Sequence, residues 1–201
     1  MTRRDRPLEG GALRFVFDYV DPGSYLAAAM LDRVPRSRVA SSPVEWVPLE
    51  LRPPPASRPD PGTPEWAGLI EAVGEAAARA GIPFRAPPFV PWSRKAHELA
   101  LLAAEKGCFE RVHQTLFEAH FVRGMDIGRV DVLAGLGGEC GFDPAEVRTV
   151  LGVDRFGPRM DEIRAALLRE GIRGVPLLQA NGKQLAGFKD AAELTAFFKT
   201  L

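Results

Sequence analysis

The pattern of hydrophobic positions at the start of the chain is typical of a strand followed by a helix. Residues 13–20 (LRFVFDYV) are rich in aromatic and β-branched side chains, which favours a strand. Residues 21–23 (DPG) break this run, and residues 24–33 (SYLAAAMLDR) then place apolar side chains at helical spacing. A second short strand is predicted over residues 44–49, where Pro48 favours an edge position. This order predicts a β-α-β unit.

The middle of the chain is predicted to be helical after a proline-rich loop. Residues 52–64 (RPPPASRPDPGTP) are incompatible with a helix interior or a central strand. From residue 65 to about 151 the pattern is helical, and a further helix is predicted over residues 161–170. The strand candidate 175–179 precedes Asn181-Gly182, a strong hairpin signal, and a final helix is predicted over residues 190–199.

A β-α-β unit and a β-β-α unit that share one sheet form a thioredoxin-like arrangement. We therefore predict an α/β protein with a thioredoxin-like fold and an all-helical insertion. The predicted boundaries are 12–52 for the first part of the thioredoxin-like domain, 65–158 for the insertion and 159–201 for the second part.

Charge and hydropathy exclude two classes of partner. The 26 Lys and Arg residues balance the 26 Asp and Glu residues, so we expect no binding to nucleic acid or to an anionic membrane surface. No apolar run is long enough to span a bilayer. The polar, basic residues 1–11 lack the apolar core of a signal peptide, so we expect a cytoplasmic protein.

The cysteines and histidines do not form a metal or redox motif. The two cysteines, Cys108 and Cys140, have a spacing that fits neither, and we expect free thiols, although the spacing does not exclude a disulfide. His113 and His120 lie two helical turns apart, but a metal site would need further ligands nearby. We therefore predict no metal site.

Three segments resemble the DsbA family, and in particular its FrnE-like branch. They are residues 17–31 (FDYVDPGSYLAAAML), 93–128 (SRKAHELALLAAEKGCFERVHQTLFEAHFVRGMDIG) and 171–194 (GIRGVPLLQANGKQLAGFKDAAEL). The family usually carries Cys-Pro-x-Cys in the first segment. Here Asp21 and Ser24 occupy the two cysteine positions, so dithiol–disulfide exchange at this site is not expected.

The same family, broadly drawn, includes 2-hydroxychromene-2-carboxylate isomerases and kappa-class glutathione transferases. Those proteins replace the cysteines with Ser-Pro-x-Ser and use the first serine at the glutathione sulfur. The resemblance therefore implies Asp21 and Ser24 as candidate catalytic residues, with Pro22 and Tyr25 of the same motif near the ligand. Trp92 stands where these relatives often have an asparagine, so it is a further candidate ligand contact.

The residue types at the start of the helix leave two interpretations open. Asp21 could be an ionised carboxylate that accepts a proton or hydrogen bond from a ligand thiol, hydroxyl or amine. It could instead be the N-cap that satisfies the first N–H groups of the helix. Ser24 could contact a ligand or simply occupy the first helical turn.

Gly174-Val175-Pro176 resembles the cis-proline loop of thioredoxin-like proteins. The resemblance implies that the backbone of Val175 pairs with an extended peptide or glutathione, and the alternative is a purely architectural turn. Glutathione is the candidate cofactor. Residues 188–190 (FKD), however, stand where a Ser-Asp-Arg-like triplet holds its γ-glutamyl end in the isomerase and transferase branch.

Three functions follow as hypotheses. The first is an isomerase or transferase that acts on a small substrate without a dithiol. The second is a non-catalytic protein that binds a peptide or partner, and the third is a thiol–disulfide oxidoreductase by homology only. Dimers are common among relatives, so a homodimer is a further expectation. We expect a structural role for His97 of the Ala96-His97 pair.

Overall fold

The computed structural model describes residues 12–34, 44–187 and 190–200. Four strands and eight helices follow in these ranges. In chain order they are β1 (Arg14–Phe17), α1 (Pro22–Leu31), β2 (Glu45–Pro48), α2 (Pro64–Ala80), α3 (Arg94–Glu105), α4 (Phe109–Phe121), α5 (Val130–Glu139), α6 (Pro144–Gly152), α7 (Gly157–Arg169), β3 (Leu177–Ala180), β4 (Lys183–Ala186) and α8 (Ala191–Phe198).

The strands form one mixed sheet in the order β2-β1-β3-β4. β1 pairs parallel with β2, and Phe15 lies opposite Trp46. β1 pairs antiparallel with β3, and Val16 lies opposite Leu177. The hairpin of β3 and β4 completes the sheet. The predicted α/β thioredoxin-like class is therefore confirmed, whereas the boundaries 12–52, 65–158 and 159–201 stay a prediction.

Individual elements differ from the sequence pattern mainly at their ends. β1 ends at Phe17, because Tyr19 and Val20 already belong to a turn that leads into α1. α7 starts at Gly157, earlier than expected, with a proline in its first turn. The hairpin turn is at Asn181 and Gly182, whose φ angles of 52° and 72° suit this tight connection.

Alternate residues of β1 face two different layers of the core. Phe15 and Phe17 belong to the large cluster that includes residues of α1, α3 and α4. Val16 belongs to a smaller cluster with Leu167 of α7 and Leu177 of β3. This period of two is the geometry of a strand buried on both faces. Asp18, the residue after Phe17, is buried as well.

No helix in the described ranges is both long and apolar enough to cross a membrane. The two cysteines are free: Cys140 is buried and Cys108 is half-buried.

Candidate functional site

Asp21 is the N-cap of α1. Its backbone is extended, with φ −93° and ψ 116°, and its Oδ2 accepts a hydrogen bond of 2.6 Å from the Ser24 N–H. Pro22 is buried in the first turn, where its missing N–H leaves no donor unsatisfied. The N-cap interpretation of Asp21 is therefore confirmed. This does not exclude chemistry at the same carboxyl, because Asp21 also lines a cleft.

The surroundings of Asp21 suit proton exchange at neutral pH. Burial raises the pKa of the Asp21 carboxyl to about 7, against hydrogen bonds from Ser24 and Gly23 that lower it, and the nearby Asp18 raises it further. A carboxyl with this pKa is present in both the protonated and the ionised form near pH 7. That is the property a general acid–base residue needs.

Ser24 lies beneath Asp21 and away from the solvent. Its residue surface is 0% exposed, and its Oγ accepts a hydrogen bond of 3.4 Å from the Asp18 N–H. The hydroxyl also hydrogen bonds to the Asp21 carboxyl. A ligand would contact Ser24 only if this first turn opened. The catalytic role of Ser24 stays a prediction, and its contacts fit a residue that positions Asp21.

Tyr25 faces the core and does not line the cleft. Its ring stacks on Phe121 with 5.1 Å between ring centroids, and its hydroxyl donates to the Pro83 carbonyl. Burial raises the pKa of Tyr25 to about 12. These contacts explain its position on α1 without a ligand.

Asp18 forms a fully buried pair with His97. Its Oδ1 lies 3.1 Å from His97 Nε2, and its Oδ2 accepts a hydrogen bond of 2.9 Å from the Leu51 N–H. The Val20 N–H donates to Oδ1 over 3.4 Å. Three donors converge on this carboxyl, which suits an acceptor-only carboxylate. The expectation of a structural role for His97 did not include this pair.

The cleft beside Asp21 combines charged and aromatic side chains around a cavity of about 50 Å³. Its walls come from the end of β1 and the following turn, the proline-rich loop and the segment before α3. They are lined by Asp18, Val20, Asp21, Leu51, Arg52, Arg58, Pro59, Trp66, Val90, Pro91, Trp92 and Ser93. A cavity of this size accepts only a few atoms of a ligand, so the rest would lie along the surface of the cleft.

Trp92 is the most exposed aromatic residue of this cleft, and it lines the cleft together with Asp21. It is 43% exposed, and the Arg58 guanidinium lies 4.9 Å from its ring centroid. This cation–π contact keeps both side chains at the mouth of the cleft. The sequence does not identify Arg52 or Arg58 as cleft residues, because no motif links the proline-rich loop to the start of α1.

The Val175–Pro176 peptide bond is cis. Continuing the β1–β3 register beyond Val16 and Leu177 places Pro176 opposite Phe17 and Val175 opposite Asp18. The Pro176 carbonyl accepts a hydrogen bond of 2.7 Å from Gly187. Among the described backbone groups, none hydrogen bonds to the N–H or the C=O of Val175. Neither Val175 nor Pro176 lines the Asp21 cleft, so a ligand would reach both only by extending beyond it.

Two further histidines are buried in the neutral form. Burial lowers the pKa of His113 to about 3 and that of His120 to about 4. Residues 12–34, 44–187 and 190–200 contain no group of three or more His, Cys, Asp or Glu that could hold a metal ion.

Of the triplet at 188–190, Phe188 and Lys189 lie outside the described residues, and Asp190 caps α8 by accepting from the Glu193 N–H.

Comparison with known proteins decides the family. Residues 12–199 match the family model of the DSBA-like thioredoxin domain. The chain belongs to this family. It is 28% identical over 141 residues to the uncharacterized protein YwbO of Bacillus subtilis. This match covers 67% of this chain and 68% of that protein.

Solved structures show the same DsbA-like fold. A 2-hydroxychromene-2-carboxylate isomerase is similar with a TM-score of 0.72 and 18% identity over 87% of each chain. A probable DsbA oxidoreductase from Streptomyces coelicolor is similar with a TM-score of 0.75 and 20% identity over 94% of this chain and 89% of that one. The cytosolic disulfide reductase DsbM from Pseudomonas aeruginosa, solved with GSH, has a TM-score of 0.62 and 17% identity over 94% and 98%.

In this DsbA-like chain, Asp21 and Ser24 place a carboxyl and a hydroxyl at the start of α1. Neither cysteine lines the cleft. Cys108 Sγ is directed at the Ala103 carbonyl and Cys140 Sγ at the Thr115 hydroxyl, both within the helical block. Both thiols therefore lie apart from the start of α1.

Proposed function

We propose that this DsbA-like protein is an isomerase- or transferase-type enzyme that acts on a small organic substrate, with Asp21 as its acid–base residue. The observation that carries the proposal is a cleft-lining carboxyl at a helix N-terminus whose pKa lies near 7. Proton transfer by such a group needs no sulfur in the protein.

Asp21 is held in one position for this role. The Ser24 N–H fixes Oδ2, and the Ser24 side chain is in turn anchored to the backbone of Asp18. A fixed carboxyl exchanges a proton with a bound ligand without first losing side-chain freedom. Ser24 is then a positioning residue of the proposed site.

The other walls of the cleft favour an anionic ligand with a flat apolar part. Arg52 and Arg58 provide guanidinium groups that bind carboxylates well, and Trp66 and Trp92 provide aromatic surface. The similar isomerase is named for a carboxylate substrate, which supports an organic carboxylate as the substrate class.

Reduced glutathione is the proposed co-ligand. In the proposed step the S–H bond of the glutathione thiol breaks, the proton moves to the ionised Asp21 carboxylate, and a thiolate remains at the N-terminus of α1. The helix dipole and the N–H groups of the first turn stabilise a negative charge there. The fold similarity to a disulfide reductase solved with GSH supports this choice.

A second candidate function is the binding of an extended peptide or partner segment. The specific observation in its favour is the backbone of Val175, whose N–H and C=O have no backbone partner in the described part of the chain. An extended ligand could pair with both groups as an added strand does. This function requires no reaction at Asp21.

A cytoplasmic location belongs to the same proposal. Two free cysteines fit a reducing compartment, and one similar structure is that of a cytosolic protein. The formation of a homodimer stays a prediction.

Calorimetric titration with reduced glutathione tests the enzyme proposal. We expect binding to the wild-type protein and binding about tenfold weaker to Asp21→Asn, which keeps the helix cap but removes the proton acceptor. The matched control is Asp143→Asn, because Asp143 is also a side-chain N-cap, at the start of α6, and does not line the cleft.

Unchanged binding to Asp21→Asn would contradict the role of Asp21 at the sulfur. Absence of binding to the wild-type protein would exclude glutathione as the co-ligand. Binding of an extended peptide that survives Asp21→Asn would favour the second candidate function.

A further inference from the structure

Two carboxyls line the Asp21 cleft, and one serine connects them. Asp18 and Asp21 both contribute to the walls of this cleft. The Ser24 Oγ accepts a hydrogen bond of 3.4 Å from the Asp18 N–H, and the Ser24 hydroxyl also bonds to the Asp21 carboxyl. The Asp21 N–H donates to the Asp18 carbonyl over 3.1 Å. These contacts hold both residues on one turn, so the charge of each carboxyl affects the ionisation of the other.

Only one of the two carboxyls is within reach of a ligand. Asp21 is half-buried at the edge of the cleft, whereas Asp18 is 0% exposed. The Leu51 and Val20 N–H groups donate to the two carboxyl oxygens of Asp18. A proton on Asp21 can pass to a ligand in the cleft, whereas a proton on Asp18 is sealed beneath the backbone. Acid–base chemistry in this cleft therefore depends on which aspartate holds the proton.

His97 provides a third donor to Asp18. Its Nε2 lies 3.1 Å from Asp18 Oδ1, and the two side chains are 0% and 1% exposed. A ring nitrogen that faces an ionised carboxylate donates its hydrogen in the neutral ring and in the charged ring alike. Hydrogen bonds of this kind favour the ionised form of a carboxyl. The negative charge of Asp18 in turn raises the pKa of Asp21.

The other titratable side chains around Asp18 keep one protonation state near pH 7. Burial and the Asp18 charge raise the pKa of Tyr19 well above its ordinary value of 10, so this phenol stays neutral. Burial lowers the pKa of His113 to about 3 and that of His120 to about 4, so both rings stay neutral as well. The cleft also contains two guanidinium groups that keep their charge throughout, those of Arg52 and Arg58. Among these groups, His97 is the one that donates to the Asp18 carboxyl.

We propose that His97 is a positioning residue of the Asp21 site: by donating to Asp18 it keeps the exchangeable proton of the two aspartates on Asp21. The helical block thereby supplies part of the site through α3, although His97 does not line the Asp21 cleft. The use of that proton rests on the function proposed above. Without the His97 donor, Asp18 takes up the proton and loses its charge, and Asp21 ionises at a lower pH.

Titration of the Asp21 carboxyl in His97→Phe tests the proposal. Phenylalanine keeps an aromatic ring against Phe17 and Tyr19 and removes the donor. In ¹³C NMR spectra of the carboxyl carbons, we expect the Asp21 midpoint to fall by about one pH unit. His97→Leu makes the same test with a smaller side chain, should the larger ring prevent folding. His97→Gln retains an N–H donor and should keep a midpoint close to that of the wild-type protein.

A purely structural role of His97 would lower stability and leave the Asp21 midpoint in place, and that result would overturn the proposal. The matched control is His120→Phe, because His120 is also a buried histidine but bonds to the Met125 carbonyl and does not line the cleft. We expect the wild-type midpoint in this control. An equal fall in His97→Phe and His120→Phe would contradict an action through Asp18.

The wild-type midpoint separates this proposal from the function proposed above. A wild-type Asp21 midpoint near the ordinary value of about 3.9 would reject Asp21 as the acid–base residue, whatever the His97 variants show. A midpoint near pH 7 in the wild-type protein that stays there in His97→Phe and His97→Leu would reject the role of His97 alone.

Discussion

Asp18 and Asp21 lie three residues apart at the junction of β1 and α1, yet their surroundings differ. Asp18 is 0% exposed and accepts from two backbone N–H groups and His97. Asp21 is half-buried at the edge of a cleft, with a pKa raised to about 7. The contacts of Asp18 stabilise the loop around it, whereas the pKa of Asp21 suits proton exchange near pH 7.

The difference shows that proximity along the chain does not decide the role of a carboxyl. A buried carboxylate is retained when several donors replace the water that it loses. Asp21 lies at the edge of a cleft, and the pKa of about 7 to which burial raises it suits acid–base chemistry. The two aspartates therefore give losses of different size for the same substitution.

Asp18→Ala should have the largest effect on stability. It leaves His97 Nε2 and the Leu51 N–H buried without a partner, and we expect a loss of about 3–5 kcal/mol in the free energy of unfolding. At pH 4, below the range over which Asp21 ionises in the folded protein, Asp21→Ala removes only a helix cap and should cost about 1 kcal/mol. Urea unfolding of both variants measures this difference, and equal losses in the free energy of unfolding would contradict the distinction between the two aspartates.

Acid should destabilise the protein through the buried neutral histidines. The folded-state pKa values of His113 and His120, about 3 and about 4, lie below the ordinary value of 6.5, so the unfolded chain takes up protons first as the pH falls. Stability is fully present above pH 6.5 and is lost below it, by about 3 kcal/mol per histidine at pH 4. Urea unfolding at several pH values should show this loss.

His113→Phe sharpens this prediction. The His113 ring packs against Trp46 at 4.2 Å and Phe109 at 5.0 Å between centroids, so an aromatic replacement fits the site. We expect the variant to lose about 3 kcal/mol less than the wild-type protein between pH 6.5 and pH 4. An identical pH profile would show that His113 already titrates normally in the folded protein.

Asp21→Asn should change the pH dependence in the opposite range. Because the folded-state pKa of Asp21 is raised above 3.8, the wild-type protein loses stability as the pH rises from about 4 to about 7. The asparagine keeps the cap and does not ionise, so the variant should gain about 2 kcal/mol relative to the wild-type protein across that range. This value is about half of the full linkage, because Asp21 is half-buried. A constant difference across the range would contradict the raised pKa.

Ser24→Ala should lower the free energy of unfolding by about 1 kcal/mol, because it removes the hydrogen bond to the Asp18 N–H. The hydroxyl of Ser24 also lowers the pKa of Asp21. The variant should therefore raise the Asp21 pKa above about 7, as seen in a carboxyl titration. An unchanged Asp21 pKa would show that Ser24 does not position the carboxyl.

The individual helices and strands and the Asp21 cap were predictable because they depend on residues close in sequence. The strand at 13–20, the turn at 21–23 and the helix after it identify the cap directly. The pairing of Asp18 with His97 joins residues 79 positions apart, and local patterns carry no information on it.

The cleft shows the same limit. Arg58 reaches Trp92 from a loop whose path depends on tertiary contacts, so neither its position nor its partner followed from the sequence. Tyr25 matches a family position that we expected near the ligand. Its ring instead packs into the core against Phe121, on the apolar face of α1. Hydrophobic burial determined its orientation.

The most direct test of the central claim is the titration of Asp21 itself. Carboxyl carbons labelled with ¹³C are followed by NMR from pH 3 to pH 9, and the Asp21 resonance is assigned by its absence in Asp21→Asn. We expect a midpoint near pH 7 for this carboxyl. A midpoint near the ordinary value for aspartate, about 3.9, would contradict it and leave Asp21 as a helix cap alone.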